Sequence, residues 1–165
     1  MTSLKVTLDK VLHSQAYKDW EAKNKGFYLC SFFRIIGNSE EENWQLDFYN
    51  HKNDTITSFI ASEEPRLLQE RSKVFKVDNQ KLNELKIDNV NIDISHALIA
   101  VDKLINNKYS GEAPNKKIVI LQNTGKAIWN ISYLTSSFNI LNVKIDAKTG
   151  EVLHDDMKNA LSFKA

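Results

Sequence analysis

Residues 128–153 read IWNISYLTSSFNILNVKIDAKTGEVL, and their alternation decides the fold class. Trp129, Ile131 and Tyr133 share one parity. After a polar turn, Leu141, Val143 and Ile145 repeat the pattern, as two half-buried strands of a hairpin require. Asp146-Ala-Lys-Thr-Gly150 then turns the chain into Glu151-Val-Leu153. An aspartate opens such a turn by accepting backbone N–H groups, and a glycine closes it where φ is positive. Upstream, Ile118-Val-Ile-Leu121 is a buried-strand candidate, joined to the hairpin by the turn signal Asn123-Thr-Gly-Lys126. Before it, Ile94, Ala97, Leu98, Val101, Leu104 and Ile105 mark a helix capped by Asp93 or Ser95, with the apolar stripe of a helix lying on a sheet. Gly111 and Pro114 end that region. Residues 93–165 therefore read as a helix-plus-antiparallel-sheet unit, and the tail from Asp155 to Ala165 as a further short helix.

The N-terminal part follows the same order. Leu8, Leu12, Ala16 and Trp20 recur every four residues, which predicts one helix from about Thr7, as N-cap, to Asn24, stopped by Gly26. Phe27 to Ile36 is aromatic and β-branched on both parities and reads as a strand covered on both faces. Trp44-Gln-Leu-Asp-Phe48 alternates, Asn50 to Asp54 is turn chemistry, and Thr55 to Ala61 is a third strand. Residues 1–64 form the first unit. Residues 65–92 read as a connector, with Val74-Phe-Lys-Val77 as a short strand and Gln80 to Leu85 as a helical turn.

Trp44-Gln-Leu-Asp-Phe48 and Trp129-Asn-Ile-Ser-Tyr133 match in apolar register, each after one helix and one strand. An internal two-fold repeat is the expectation. The run from Ile94-Ser-His-Ala-Leu-Ile-Ala-Val101 through Trp129 to Val143-Lys-Ile-Asp-Ala-Lys-Thr-Gly-Glu-Val152 resembles the PepSY family over about residues 94–153. The N-terminal part has Ile60-Ala-Ser-Glu-Glu64 where the Asp-Ala-Lys-Thr-Gly ending would stand. The resemblance implies a small α+β unit of the kind found in propeptides of thermolysin-like proteases and in bacterial cell-surface proteins. It also implies a protease-inhibiting or chaperone-like binding role without catalytic residues. The expected architecture is thus α+β: two tandem units, PepSY-like or cystatin-like, in one compact domain.

Composition narrows the partners. The chain has 165 residues, 42% of them hydrophobic and 26% charged, so it can bury a core. A net charge of +1 gives no basic surface for nucleic acid or an anionic membrane. No apolar run is long enough for a membrane span, and the first thirty residues contain no signal-type apolar region. The expected location is the cytoplasm. The single cysteine, Cys30, allows no internal disulfide and no Cys-based zinc site.

No pattern of catalysis emerges. His13, His51, His96 and His154 are scattered, and His154-Asp-Asp156 reads as a solvated segment rather than a metal site. Cys30 sits in an aromatic strand, where a thiol is inert. Asp146 reads as a turn former and Glu40-Glu-Glu42 as a solvated loop. Asn53-Asp-Thr55 and Asn130-Ile-Ser132 match the glycosylation pattern by chance, and the tryptophans read as core. The expected function is a non-enzymatic binding or regulatory module for a protein, peptide or small ligand. The alternatives are a ligand-pocket protein or small enzyme on a cystatin-like fold, and a structural subunit. No catalytic, cofactor or metal residue is assigned. Tyr28, Cys30, Phe32 and Arg34 share one face of the first strand, and Gln45, Asp47 and Tyr49 one face of the second, mixed faces suited to an interface or to sheet packing.

Overall fold

The computed structural model describes residues 3–37, 43–73 and 82–162. Two short helices, α1 (Leu4–Leu12) and α2 (Gln15–Lys23), open the chain. β1 (Phe27–Ile36), β2 (Gln45–Asn50), β3 (Thr55–Ile60) and β4 (Arg66–Lys73) follow as a meander. After a 3-10 turn at Ile87–Asn89 come α3 (Ile94–Lys108) and a second meander of β5 (Pro114–Asn123), β6 (Ala127–Thr135), β7 (Asn139–Asp146) and β8 (Val152–Asn159). Among the described residues the strands make one antiparallel sheet in the order β4-β3-β2-β1-β5-β6-β7-β8. The fold class is α+β. The order is symmetric about the β1–β5 pair, where Phe33 faces Ile120 and Ile36 faces Lys117.

One face of the sheet carries the helices. Phe32, Leu46 and Phe59 line it in the first half, and Val119, Leu121, Trp129, Ile131, Tyr133, Leu141, Val143 and Ile145 in the second. They pack under Val11, Trp20, Ala97, Val101 and Ile105 as a single core. The Trp44 and Trp129 rings, 6.2 Å apart, join its two parts. The described α-helices do not lie on the other face. That face carries half-buried polar side chains that satisfy one another. The Asp47 carboxylate accepts from Ser31 Oγ (2.8 Å), Gln45 Nε2 (2.8 Å) and Ser58 Oγ (2.6 Å). Asn142 Nδ2 donates to Asn130 Oδ1 (2.7 Å) and Ser132 Oγ (2.9 Å).

Several local expectations are corrected. The helix over residues 7–24 is two helices. Ser14 ends the first and caps the second by accepting from the Tyr17 N–H, and Ser3, not Thr7, caps the first. β1 is covered by helices on one face only. A bulge between Leu29 and Ser31 also changes its parity. Tyr28 consequently lies on the face away from the helices, against the buried Tyr49, whereas Phe32 and Arg34 lie on the helix-covered one, with Arg34 over the Trp44 ring. The face said to carry both Tyr28 and Arg34 does not exist. The stretch read as a connector contains β4. The tail read as a helix from Asp155 continues β8 to Asn159 before a 3-10 turn at Ala160–Ser162. Glu40–Glu42, Val74–Val77, Gln80 and residues 163–165 lie outside the described residues, and residues 82–86 are not helical.

Candidate functional site

The break at His13–Ser14 shapes the first half. A straight helix would lay its stripe flat on β1 and β2. Two helices of nine residues each instead meet at an angle set by the Ser14 cap. α2 drives Trp20 into an aromatic cluster with Tyr17, Phe27, Phe48 and Phe59, at centroid distances of 4.8–6.1 Å. α1 buries Val11 in the core, and its Leu8 and Leu12 border a groove of about 520 Å³.

The opposite wall is the segment 84–88, held in place by specific bonds. β1 pairs with β5 only from Ser31 onward, so its first residues have a free edge on that side. Leu85 N–H donates to Leu29 O (2.8 Å) there, and the Tyr28 hydroxyl donates to Leu82 O. Asn123 Nδ2 donates to Glu84 O (2.8 Å), tying the segment to the β5–β6 turn. Leu85 is buried by this docking. Leu8, Leu12, Tyr17, Phe27, Leu29, Phe48 and Ile87 give the groove an apolar interior. Lys5, Asp9, Glu84, Lys86 and Asp88 supply charges of both signs around it. A cleft of this size with an apolar floor and a few polar groups is what small-ligand and peptide side-chain sites look like.

The residues considered as chemical candidates lie elsewhere and apart. Cys30 is buried at the bulge, where its thiol donates to Asp47 O (3.3 Å). Burial, then the Asp47 charge, pushes it up to about 12, so it stays a thiol at neutral pH. Asp146 opens its turn as expected. It accepts from the Lys148 and Thr149 N–H groups (2.8 and 3.1 Å), and Gly150 follows at φ +80°. Lys126 at 2.8 Å, with those N–H groups, holds the Asp146 carboxyl down to about 2. His13 Nδ1 is 2.7 Å from Asp9 O and His96 Nδ1 is 2.9 Å from Asp93 Oδ1, while His51 and His154 are exposed on a turn and on β8. Asp155 is engaged by Lys108 (2.6 Å) and Tyr109 (2.5 Å), which keep its carboxyl below the ordinary range. Among the described residues, no three His, Cys, Asp or Glu side chains are grouped to hold a metal ion. Asn53 sits in the β2–β3 turn and accepts from Thr55, and Asn130 lies mid-strand on the face away from the helices.

The groove residues carried no sequence signal as a set. Leu8 and Leu12 read as ordinary stripe positions, and 84–88 as a connector. The one available clue was Ser14 inside the helical pattern, a capping residue that marks a break.

No family model matches this chain, and no curated protein does. Among solved structures it is similar to a chain described as a putative lipoprotein from Clostridium difficile 630. The two are 14% identical, with a TM-score of 0.53, over 87% of this chain and 90% of the other. The likeness concerns the fold. Among the described residues no helix is long and apolar enough to cross a membrane.

Proposed function

We propose that this protein is a non-enzymatic binding module, PepSY-like in plan with two tandem units, whose ligand site is the groove of the first half. The observation that carries the reading is the groove itself: an apolar interior between α1 and a hydrogen-bonded wall, with charges kept to its edge. Its ligand class is an apolar or amphipathic group, either a small molecule or a side chain of a bound peptide. The symmetric strand order supports the tandem plan. The groups that could do chemistry support binding over turnover. Cys30 is held as a thiol, Asp146 serves its turn, and no histidine is among the groove-lining residues.

Titration with 8-anilinonaphthalene-1-sulfonate, an apolar fluorescent probe, tests it. The native protein should bind the probe saturably, and Leu8→Glu, on the exposed side of α1's stripe, should weaken binding about tenfold or more. Probe fluorescence that never saturates, or is indifferent to Leu8→Glu, contradicts the site. Turnover of a hydrolase or transferase substrate that survives repurification and is lost on changing Cys30, His96 or Asp146 contradicts the non-enzymatic reading.

A further inference from the structure

The two walls of the groove are attached in different ways. The 84–88 wall is fixed by polar bonds, from Leu85 N–H to Leu29 O and from Asn123 Nδ2 to Glu84 O, both 2.8 Å. The α1 wall is not. α1 buries Thr7 and Val11 and lines the groove with Lys5, Leu8, Asp9 and Leu12, the spacing of one helix face. Its polar groups bond within its own turns: Ser3 Oγ accepts from Val6 N–H (3.2 Å), Thr7 Oγ1 donates to Ser3 O (3.1 Å), and His13 Nδ1 lies 2.7 Å from Asp9 O. Among the described residues, no side-chain hydrogen bond, ion pair or ring contact joins residues 3–12 to anything beyond Ser14. Apolar burial alone holds α1 down, through Val11 and the half-buried Leu4, Leu8 and Leu12. The joint to α2 is two residues, His13 at φ −90°, ψ −3° and Ser14 at φ −70°, ψ 151°. His13 is exposed, so little packing opposes a change in its dihedrals. Ser14 Oγ accepts from Tyr17 N–H (3.2 Å), a cap that serves α2 wherever α1 points.

We propose that α1 is a flap: it swings as one unit about His13–Ser14, opens the groove, and closes again with Leu8 and Leu12 against whatever has entered. The inference rests on the groove being a binding site, as read above. A segment with few buried apolar contacts and no polar tether has a low free energy of local opening, and a helix of nine residues is marginal by itself. The rest of the first half does not depend on α1 for its bonds. Trp20 keeps its ring contacts to Tyr17, Phe27, Phe48 and Phe59, and Leu85 keeps its bond to Leu29. Opening therefore exposes Val11 and the leucines without breaking a polar bond to another element. Two extra-helical residues that absorb a change in φ and ψ are what a hinge requires. An apolar group in the groove touches Leu8 and Leu12 only in the closed state, so the ligand itself shifts the flap toward closure.

Amide hydrogen exchange of the full chain, followed residue by residue by NMR, tests the proposal. The amides of Leu8 to Leu12 should share one protection factor, about a hundredfold or more below that of Leu98 to Ile105 in α3. Ile145→Val trims a fully buried side chain of the second half. It should speed the α3 amides about fivefold and leave the α1 amides unchanged. The probe 8-anilinonaphthalene-1-sulfonate, at about ten times its Kd, should slow the α1 amides about tenfold, because it binds the closed form and not the open one. Protection graded along α1 from Leu4 to Leu12 is fraying from one end and overturns the flap. So does α1 exchanging at the rate of α3 and following it on Ile145→Val, and so does a probe that binds saturably without slowing α1. With the probe bound in the groove, each of these results defeats this inference alone. A probe that does not bind the groove defeats the reading above, and the flap as its gate with it.

Discussion

The two halves of the sheet seal their helix layers in different ways. In the second, one 15-residue helix lies along four strands, and aliphatic side chains fill the gap. Two polar tethers lock it: Trp129 Nε1–H donates to Ile92 O (2.8 Å), and the Tyr133 hydroxyl donates to Asp102 Oδ1 (2.9 Å). In the first, two nine-residue helices meet at a capped break and rely on stacked aromatic rings. There the buried Trp20 Nε1 has no hydrogen-bond partner, and the groove opens beside its ring neighbours Tyr17, Phe27 and Phe48. The same strand arrangement can thus support a sealed, tethered half and a loosely closed one. A loosely closed half is where a binding site is cheapest to keep, because a ligand displaces solvent rather than native packing.

The largest expected effect is Trp129→Ala. Emptying a fully buried site in the sealed half should cost about 3–5 kcal/mol. Trp20→Ala should cost less, because the adjoining groove lets neighbours relax into the space. Urea midpoints of the two variants decide, and equal losses would break the contrast. Next comes the tether. Trp129→Phe leaves Ile92 O without its donor and should cost about 1–3 kcal/mol. Trp20→Phe removes an N–H that has no acceptor and should cost about 1 kcal/mol or less.

Smaller effects concern turns and pH. Gly150→Val forces a β-branched residue to φ +80° and should destabilise by about 1–2 kcal/mol. Backbone strain is the argued cause, since an added Cβ itself meets Ile92 Cδ1 at an ordinary 3.5 Å. Phe138 holds φ at +58°, so Phe138→Asn relieves the same strain and should hold or raise the unfolding midpoint. A loss there would mean that the Phe138 ring stabilises the isolated chain. The Asp146 carboxyl sits lower in the folded state than in the unfolded chain. Its contribution is therefore complete above about pH 4 and fades as pH falls toward about 2. Asp146→Asn should flatten the fall in stability across that window. Asp93 and Asp155, also held low, should keep part of the slope.

The sequence was legible where strands have two neighbours. β2, β3, β6 and β7 each appeared near their observed bounds because they pack one face on a core, and β1 through its aromatic and β-branched run, while of the central β5 only Ile118–Leu121 stood out. The edge strands were the hardest to read: β4 was missed, and β8 was read only at its start, Val152 and Leu153. β4 reads RLLQERSK and β8 reads VLHDDMKN, polar on both parities, as edges that must not pair with other chains tend to be. Their strand character comes from the backbone of β3 and β7, which no local pattern reveals. The helix break failed for a related reason: the Leu8-Leu12-Ala16-Trp20 period runs straight through a cap whose energy is one hydrogen bond. The turn at Asp146–Gly150 was fully readable, because its chemistry is local. The groove was not, since it exists only where α1, α2 and a distant segment fail to close.

The central claim is that this protein binds apolar groups through its first half. Methyl-detected NMR of the wild-type chain, titrated with 8-anilinonaphthalene-1-sulfonate, tests it most directly. The account predicts saturable shifts at Leu8, Leu12, Leu29, Leu85 and Ile87, with Ile131, Leu141, Val143 and Ile145 unmoved. Shifts centred on the second-half core, or none at any residue of the groove, would contradict it.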